Sequence, residues 1–307
     1  MGAGTWDSRD WAESRSAYTR AAKPTVDHIY TSRSLANELD PKNVRLRESR
    51  DSAANPNSTA LIVGLDVTGS MGRVLDVMAR AGLGTLVEQI YERKPINDPH
   101  FMLMGIGDFE CDRAPFQVTQ FEAENKPLIM QMEKIYLERG GGGNNYESYA
   151  AAWLFAATRT SIDCFEKRGR RGYLFTVGDE EPTPKLFAKH IANFLGGETA
   201  EDLDGERLLQ MAQATYRVFH VIVEQGNYAS RRSEQVKMAW TNLIGQNVLP
   251  LADHTKLAEV IVSAIQVAEG HDKAEVTQSW SGDTALVVSR AIHDVVAVEH
   301  GGSVRLY

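Results

Sequence analysis

"ALIVGLDVTGSMGRV", residues 60–74, decides how the rest of the chain is read. The run "ALIVGL" does not alternate apolar with polar residues, and a strand that is apolar on both faces belongs inside a parallel sheet covered by helices. It ends abruptly in Asp66. Thr68 and Ser70 follow at alternate positions, so the three side chains can share one side of a tight loop. Gly69 and Gly72 let that backbone bend. In open parallel α/β sheets ligands bind beyond the carboxyl ends of the strands, which is where this loop falls.

The same signature recurs downstream. "HFMLMGIGD" (100–108), "GYLFTVG" (172–178), "YRVFHVIVE" (216–224) and "NVLPLAD" (247–253) read as buried strands. Between them, 73–94, 125–138, 148–167, 184–196, 201–215, 232–244 and 254–270 carry helical spacing. "FQVTQFE" (116–122) alternates, as a half-exposed edge strand does. This order predicts an α/β fold: a Rossmann-like, doubly wound, mostly parallel sheet with helices on both faces and one antiparallel edge strand. The expected organisation is a polar arm over 1–57, wrapped on the domain through Trp6, Trp11 and Tyr30, a main domain over 58–268, and a C-terminal extension over 269–307. Within that extension "TALVVSRAI" and "DVVAVEH" fit a strand or a helix equally well.

Composition narrows the function. The chain of 307 residues has 43% hydrophobic and 24% charged residues, enough for a substantial core. Its net charge of −8 argues against a general phosphate-binding surface, so no nucleic acid partner is expected. "KRGRR" (167–171) is the main basic cluster and reads as a solvated turn. Two cysteines, Cys111 and Cys164, are too few for a disulfide framework or a structural zinc site, and a reduced, cytoplasmic setting is expected. The N-terminus has no apolar signal region and no run of about 18 apolar residues exists, so no membrane span is expected. The eight histidines show no metal-binding spacing, and His220, inside an apolar strand, reads as a core residue.

Two of the buried strands lead into Asp66 and Asp179. If they are neighbours, two carboxylates converge at one edge, and a cation relieves their repulsion. Between them "ERGGGGNNYESYAAAW" (138–153) brings a glycine-rich loop to the start of a helix and offers Asn144, Asn145 or Glu147 to the same edge. All these donors are oxygens, which suits a hard cation such as Mg²⁺, with Mn²⁺ or Ca²⁺ as substitutes, and does not suit zinc or copper.

"DVTGSMG" resembles the Asp-x-Ser/Thr-x-Ser signature of von Willebrand factor A domains, in which the motif follows the first strand of a Rossmann-like sheet and forms a metal-ion-dependent adhesion site. The resemblance covers roughly residues 59–268. It implies that Asp66, Thr68 and Ser70 fill the first motif and that Asp179, in "FTVGDEEP", fills the last. Many members carry Gly-Gly-Thr in the middle motif; "GGGGNNYE" is closer to a Gly-Gly-Gly-Asp-x-x-Glu variant, with Asn144 at the Asp and Glu147 at the Glu, and "GDFECD" (107–112) resembles a segment of that variant, which implies that Asp108 lines the same edge. The implied function is metal-dependent recognition of a partner protein, which supplies a Glu or Asp to the cation, and not catalysis. Intracellular members commonly work beside ATPases or in multi-protein complexes. The alternative is a haloacid-dehalogenase-like phosphatase or phosphotransferase with Asp66 as nucleophile and Asp179 as a Mg²⁺ ligand, because "DVTGS" and "VGDEEP" resemble its motifs. That scheme needs a lysine, for which Lys167 is a poor candidate, and gives the glycine run no role.

Overall fold

A computed structural model describes residues 32–71, 83–138, 144–197 and 201–297; of Ser70, Leu83 and Gly84 it describes the backbone alone. The central sheet has six strands: β1 (Thr59–Asp66), β2 (Pro99–Ile106), β3 (Phe116–Val118), β4 (Gly172–Gly178), β5 (Tyr216–Val223) and β6 (Val248–Leu251). Their spatial order is β6-β5-β4-β1-β2-β3. This is the doubly wound order, whose switch point lies between β1 and β4. All neighbours are parallel except β3, which runs antiparallel to β2. The expected α/β architecture is therefore the one observed, including the antiparallel edge.

The lack of alternation in β1 has the physical cause inferred for it. Leu61, Val63 and Leu65 enter one core with helices α1 (Leu83–Arg93), α2 (Asn125–Met132) and α6 (Leu257–Ala268). Ala60 and Ile62 enter the other with α3 (Ala150–Arg159), α4 (Gly205–Gln213) and α5 (Ala229–Ile244). Both faces are buried, so apolar residues are wanted at every position.

Several local expectations change. Phe116, Gln117 and Val118 of β3 are all buried, not half-exposed. The segment before β1 covers that edge: Val118 N–H donates to Leu39 C=O at 2.9 Å, and Leu39 is fully buried. Thus residues 32–57 are packed on the domain, and Arg47–Ser49 even pairs in parallel with Thr160–Ile162. That pairing interrupts the expected helix over 148–167, which stops at Arg159 and resumes as the single turn Asp163–Glu166. The helix expected over 125–138 ends at Met132. The stretch 184–196 is divided among a two-residue strand, a short α turn and a π turn. Trp6, Trp11, Tyr30, the first part of 73–94 and the four consecutive glycines lie outside the described residues.

In the C-terminal extension, "TALVVSRAI" is helical. It belongs to α8 (Gly282–Ala291), which follows α7 (Lys273–Gln278). Val276, Val288, Ala291, Ile292 and Val295 join the α6 side of the core. Among the described residues no helix is long and apolar enough to cross a membrane.

Candidate metal centre at the carboxyl edge of the sheet

Strands β1 and β4 are paired with Leu65 opposite Val177, so Asp66 and Asp179 leave the sheet from adjacent strands at the same end. Both are fully buried. The Asp66 carboxylate is held by three donors: Oδ1 accepts the Thr68 N–H at 2.9 Å and the Thr68 hydroxyl at 2.6 Å, and Oδ2 accepts the Tyr149 hydroxyl at 3.1 Å. Because the Thr68 proton points to Asp66, the lone pairs of its oxygen are directed elsewhere. The backbone then turns in a single 3₁₀ step over Gly69–Met71; the Ser70 side chain lies outside the described residues.

Asp179 Oδ2 accepts the Tyr228 N–H at 2.9 Å, at the entrance to α5, where the positive end of a helix favours a carboxylate. Gly226 is packed so closely on the Asp179 carboxylate that any Cβ there would overlap it.

The middle loop brings Glu147 to the same edge. Asn144 is half-buried and turns its amide to Asp108, donating from Nδ2 to Oδ2 at 2.6 Å. Asn145 is exposed. Glu147 is buried, and its Oε2 meets no hydrogen-bond partner. Asp108 is also buried and accepts the Glu110 N–H at 2.8 Å, so it does line this edge. Of the residues expected to meet here, Asp66, Thr68 and Asp179 are together, while Asn144 is tied to Asp108.

The electrostatics are those of crowded acids. Burial, and then the charge of Asp179, push Asp66 up to about 7 against the relief given by Thr68. Burial and the Asp66 charge push Glu147 up to about 11. Glu180 rises to about 8 through burial and the charges of Asp66 and Asp179. Asp112 rises to about 6, chiefly through burial. Holding Asp66 ionised at neutral pH or above therefore costs on the order of 4 kcal/mol relative to water. A divalent cation would offset that cost.

The residues present fit such an ion. The donors are oxygens, one buried carboxylate oxygen is orphaned, and the surrounding acids repel one another. Among the described residues no three His, Cys, Asp or Glu side chains form a ready-made cage, so the fit rests on two carboxylates together with the Thr68 hydroxyl.

Three contributors were not picked out from the sequence: Tyr149, Glu180 and Asp112. Glu180 directly follows Asp179 and could have been flagged as part of the same acidic strand end. Tyr149 reaches Asp66 only because β4 ends in Gly178, a contact between distant segments that no local pattern carries.

No known family profile matches the sequence, and no curated protein matches it. Solved structures to which the chain is similar include the pilus adhesin SpaC from Lactobacillus rhamnosus GG in its open conformation, at 9% identity and a TM-score of 0.46, covering 72% of this chain and 31% of that one. Another form of the same adhesin matches at 12% identity and a TM-score of 0.44, over 72% of this chain and 32% of that one. A von Willebrand factor type A protein from Catenulispora acidiphila matches at 12% identity and a TM-score of 0.39, over 70% and 44%. This chain thus spans about a third of the length of the adhesin chains. Its own architecture, a mostly parallel six-stranded sheet between two helical layers, is consistent with the Rossmann-like fold of von Willebrand A domains.

Proposed function

We propose that this chain is a protein-interaction module that recognises an acidic residue of a partner protein through a divalent cation, Mg²⁺ or in its place Mn²⁺ or Ca²⁺. Asp66, Thr68, Ser70 and Asp179 would hold the ion, with Asn144 acting from the Asp108 side of the loop. The observation that carries this reading is the gathering of buried acids around Asp66 and Asp179, with Glu147 and Glu180 pushed well above ordinary values by burial and mutual repulsion. Bound there, the ion supplies positive charge. Thr68 and Ser70 offer it neutral oxygens, so it is left electrophilic enough to take one more anionic oxygen. A Glu or Asp of the partner fits that need.

The phosphotransferase alternative is not supported at its lysine. Lys167 pairs with Asp51 at 3.2 Å and Asp163 at 2.6 Å, beside the turn that precedes the start of β4 and away from Asp66. The module is read as a binding protein and not as an enzyme. An ATPase or a multi-protein complex remains the expected setting for its partner.

Capture of partners from a lysate of the source cells, with Mg²⁺ and then with EDTA, tests the reading when run beside Asp66→Ala. A partner retained with Mg²⁺ and released by both EDTA and the substitution supports it. A partner held equally in all three conditions overturns it.

A further inference from the structure

Tyr149 stands just before α3, fully buried, and its hydroxyl donates to Asp66 Oδ2 at 3.1 Å. Its ring is fixed on two sides. The His220 ring meets it edge-on at 5.0 Å between centroids, and the Trp240 ring does so at 5.4 Å. His220 and Trp240 are themselves stacked, 3.4 Å apart and 8° from parallel. His220 is anchored to Thr176 of β4 at 2.8 Å. Trp240 Nε1 donates to the Glu180 carbonyl at 2.9 Å, one residue beyond Asp179. One aromatic cluster therefore reaches both acid-bearing strand ends.

Gly178 leaves room for this contact. A Cβ on Gly178 would collide with the Tyr149 hydroxyl and ring, so the last residue of β4 must be glycine if the phenol is to pass over it to β1. The other carboxylate oxygen of Asp66 is already occupied by Thr68, through both N–H and hydroxyl. The Tyr149 hydroxyl adds a restraint on the second oxygen, so that rotation of the carboxylate about the Cβ–Cγ bond is opposed from both sides.

We propose that Tyr149 is a positioning residue for the divalent ion: it does not touch the ion but holds Asp66 in the orientation in which Asp66 and the Thr68 hydroxyl face it together. This rests on the metal-binding reading above. Without the phenol, ion binding must also order the carboxylate. Outer partners of metal-binding side chains typically alter affinity by about 10–100-fold.

The test is calorimetric titration of Mg²⁺ into the full chain, wild type, Asp66→Ala, Tyr149→Phe and Tyr216→Phe. Tyr216 is an equally buried tyrosine at the opposite end of the same sheet, where its hydroxyl meets Thr160 at 2.6 Å, so it controls for loss of a buried phenol alone. The expected result is about tenfold weaker Mg²⁺ binding in Tyr149→Phe, equivalent to about 1.4 kcal/mol, with Tyr216→Phe unchanged. Unchanged affinity in Tyr149→Phe, or equal weakening in both phenylalanine variants, overturns the proposal while leaving the site intact. Absence of binding by the wild type, or binding that survives Asp66→Ala, overturns the site and the proposal together. Melting each variant in EDTA confirms that the titrated protein is folded. Should Tyr149→Phe fail that control, Gly178→Ala, which displaces the same hydroxyl, takes its place with the same expected loss.

Discussion

Where β1 and β4 begin, Asp51 accepts hydrogen bonds from Arg168 at 2.8 and 3.1 Å, and Asp163 accepts one from Arg50 at 2.8 Å. Where the same two strands finish, Asp66 and Asp179 meet hydroxyls and backbone N–H groups. The first pair is held below the usual carboxylate range: Asp51 by Arg168, and Asp163 by Lys167 and Arg50 against the opposing effect of burial. At the other end Asp66, Glu147 and Glu180 are pushed above it. One end of the sheet carries its own cations; the other gathers acids and neutral oxygens. The contrast teaches that buried acids as such do not mark a site. Buried acids pushed above their ordinary range single out a candidate one.

Substitution at the carboxyl end separates the two ends most sharply. Asp66→Ala should weaken Mg²⁺ binding by at least about a hundredfold, since loss of even an outer partner costs 10–100-fold; calorimetry reads this directly. A smaller effect comes from pH. Asp66 and Glu180 take up protons in the folded state far above their ordinary values. Their contribution to stability is therefore full below about pH 4 and lost as pH rises through about 7 to 8. Asp51 works in the opposite sense: its contribution is present above its ordinary value and lost as pH falls through the lowered one. In EDTA the melting temperature should fall between about pH 5 and pH 8. Mg²⁺ should reverse that fall, by about 2.7 kcal/mol at a hundredfold excess over its dissociation constant.

The far end of the sheet supplies the control. Arg168→Ala leaves Asp51 without its principal donor and should cost about 1–3 kcal/mol of stability in denaturant titration, with Mg²⁺ affinity unchanged. The smallest effect is expected at Glu147. Burial and the Asp66 charge push it up to about 11, which favours its protonated form. Glu147→Gln, which mimics that form, should therefore change stability in EDTA by no more than about 1 kcal/mol, and a larger loss would show that Glu147 is charged in the folded protein.

What could be read beforehand follows the range of the interactions. The buried strands and the acids closing β1 and β4 were legible because burial on both faces leaves an unbroken apolar run, and its end is marked by the first charge. The pairing of Arg47–Ser49 with Thr160–Ile162 was not, because strands of three residues carry no periodicity. The full burial of β3 was not, because its cover comes from Leu39 and its neighbours, far away in sequence. At the site, Asp66, Thr68 and Asp179 announced themselves by spacing. Tyr149 did not, since its role exists only once Gly178 lies beneath it. Asn144 was expected at the Asp of the variant motif; that its Nδ2 donates to Asp108 could not be read from the sequence, because the two lie 36 residues apart.

The most direct measurement is the anomalous scattering of crystals grown with Mn²⁺. The account predicts one strong peak between the Asp66 and Asp179 side chains, within bonding distance of the Thr68 hydroxyl. Well-ordered crystals in saturating Mn²⁺ with no peak there, or with the ion held only elsewhere, would contradict it.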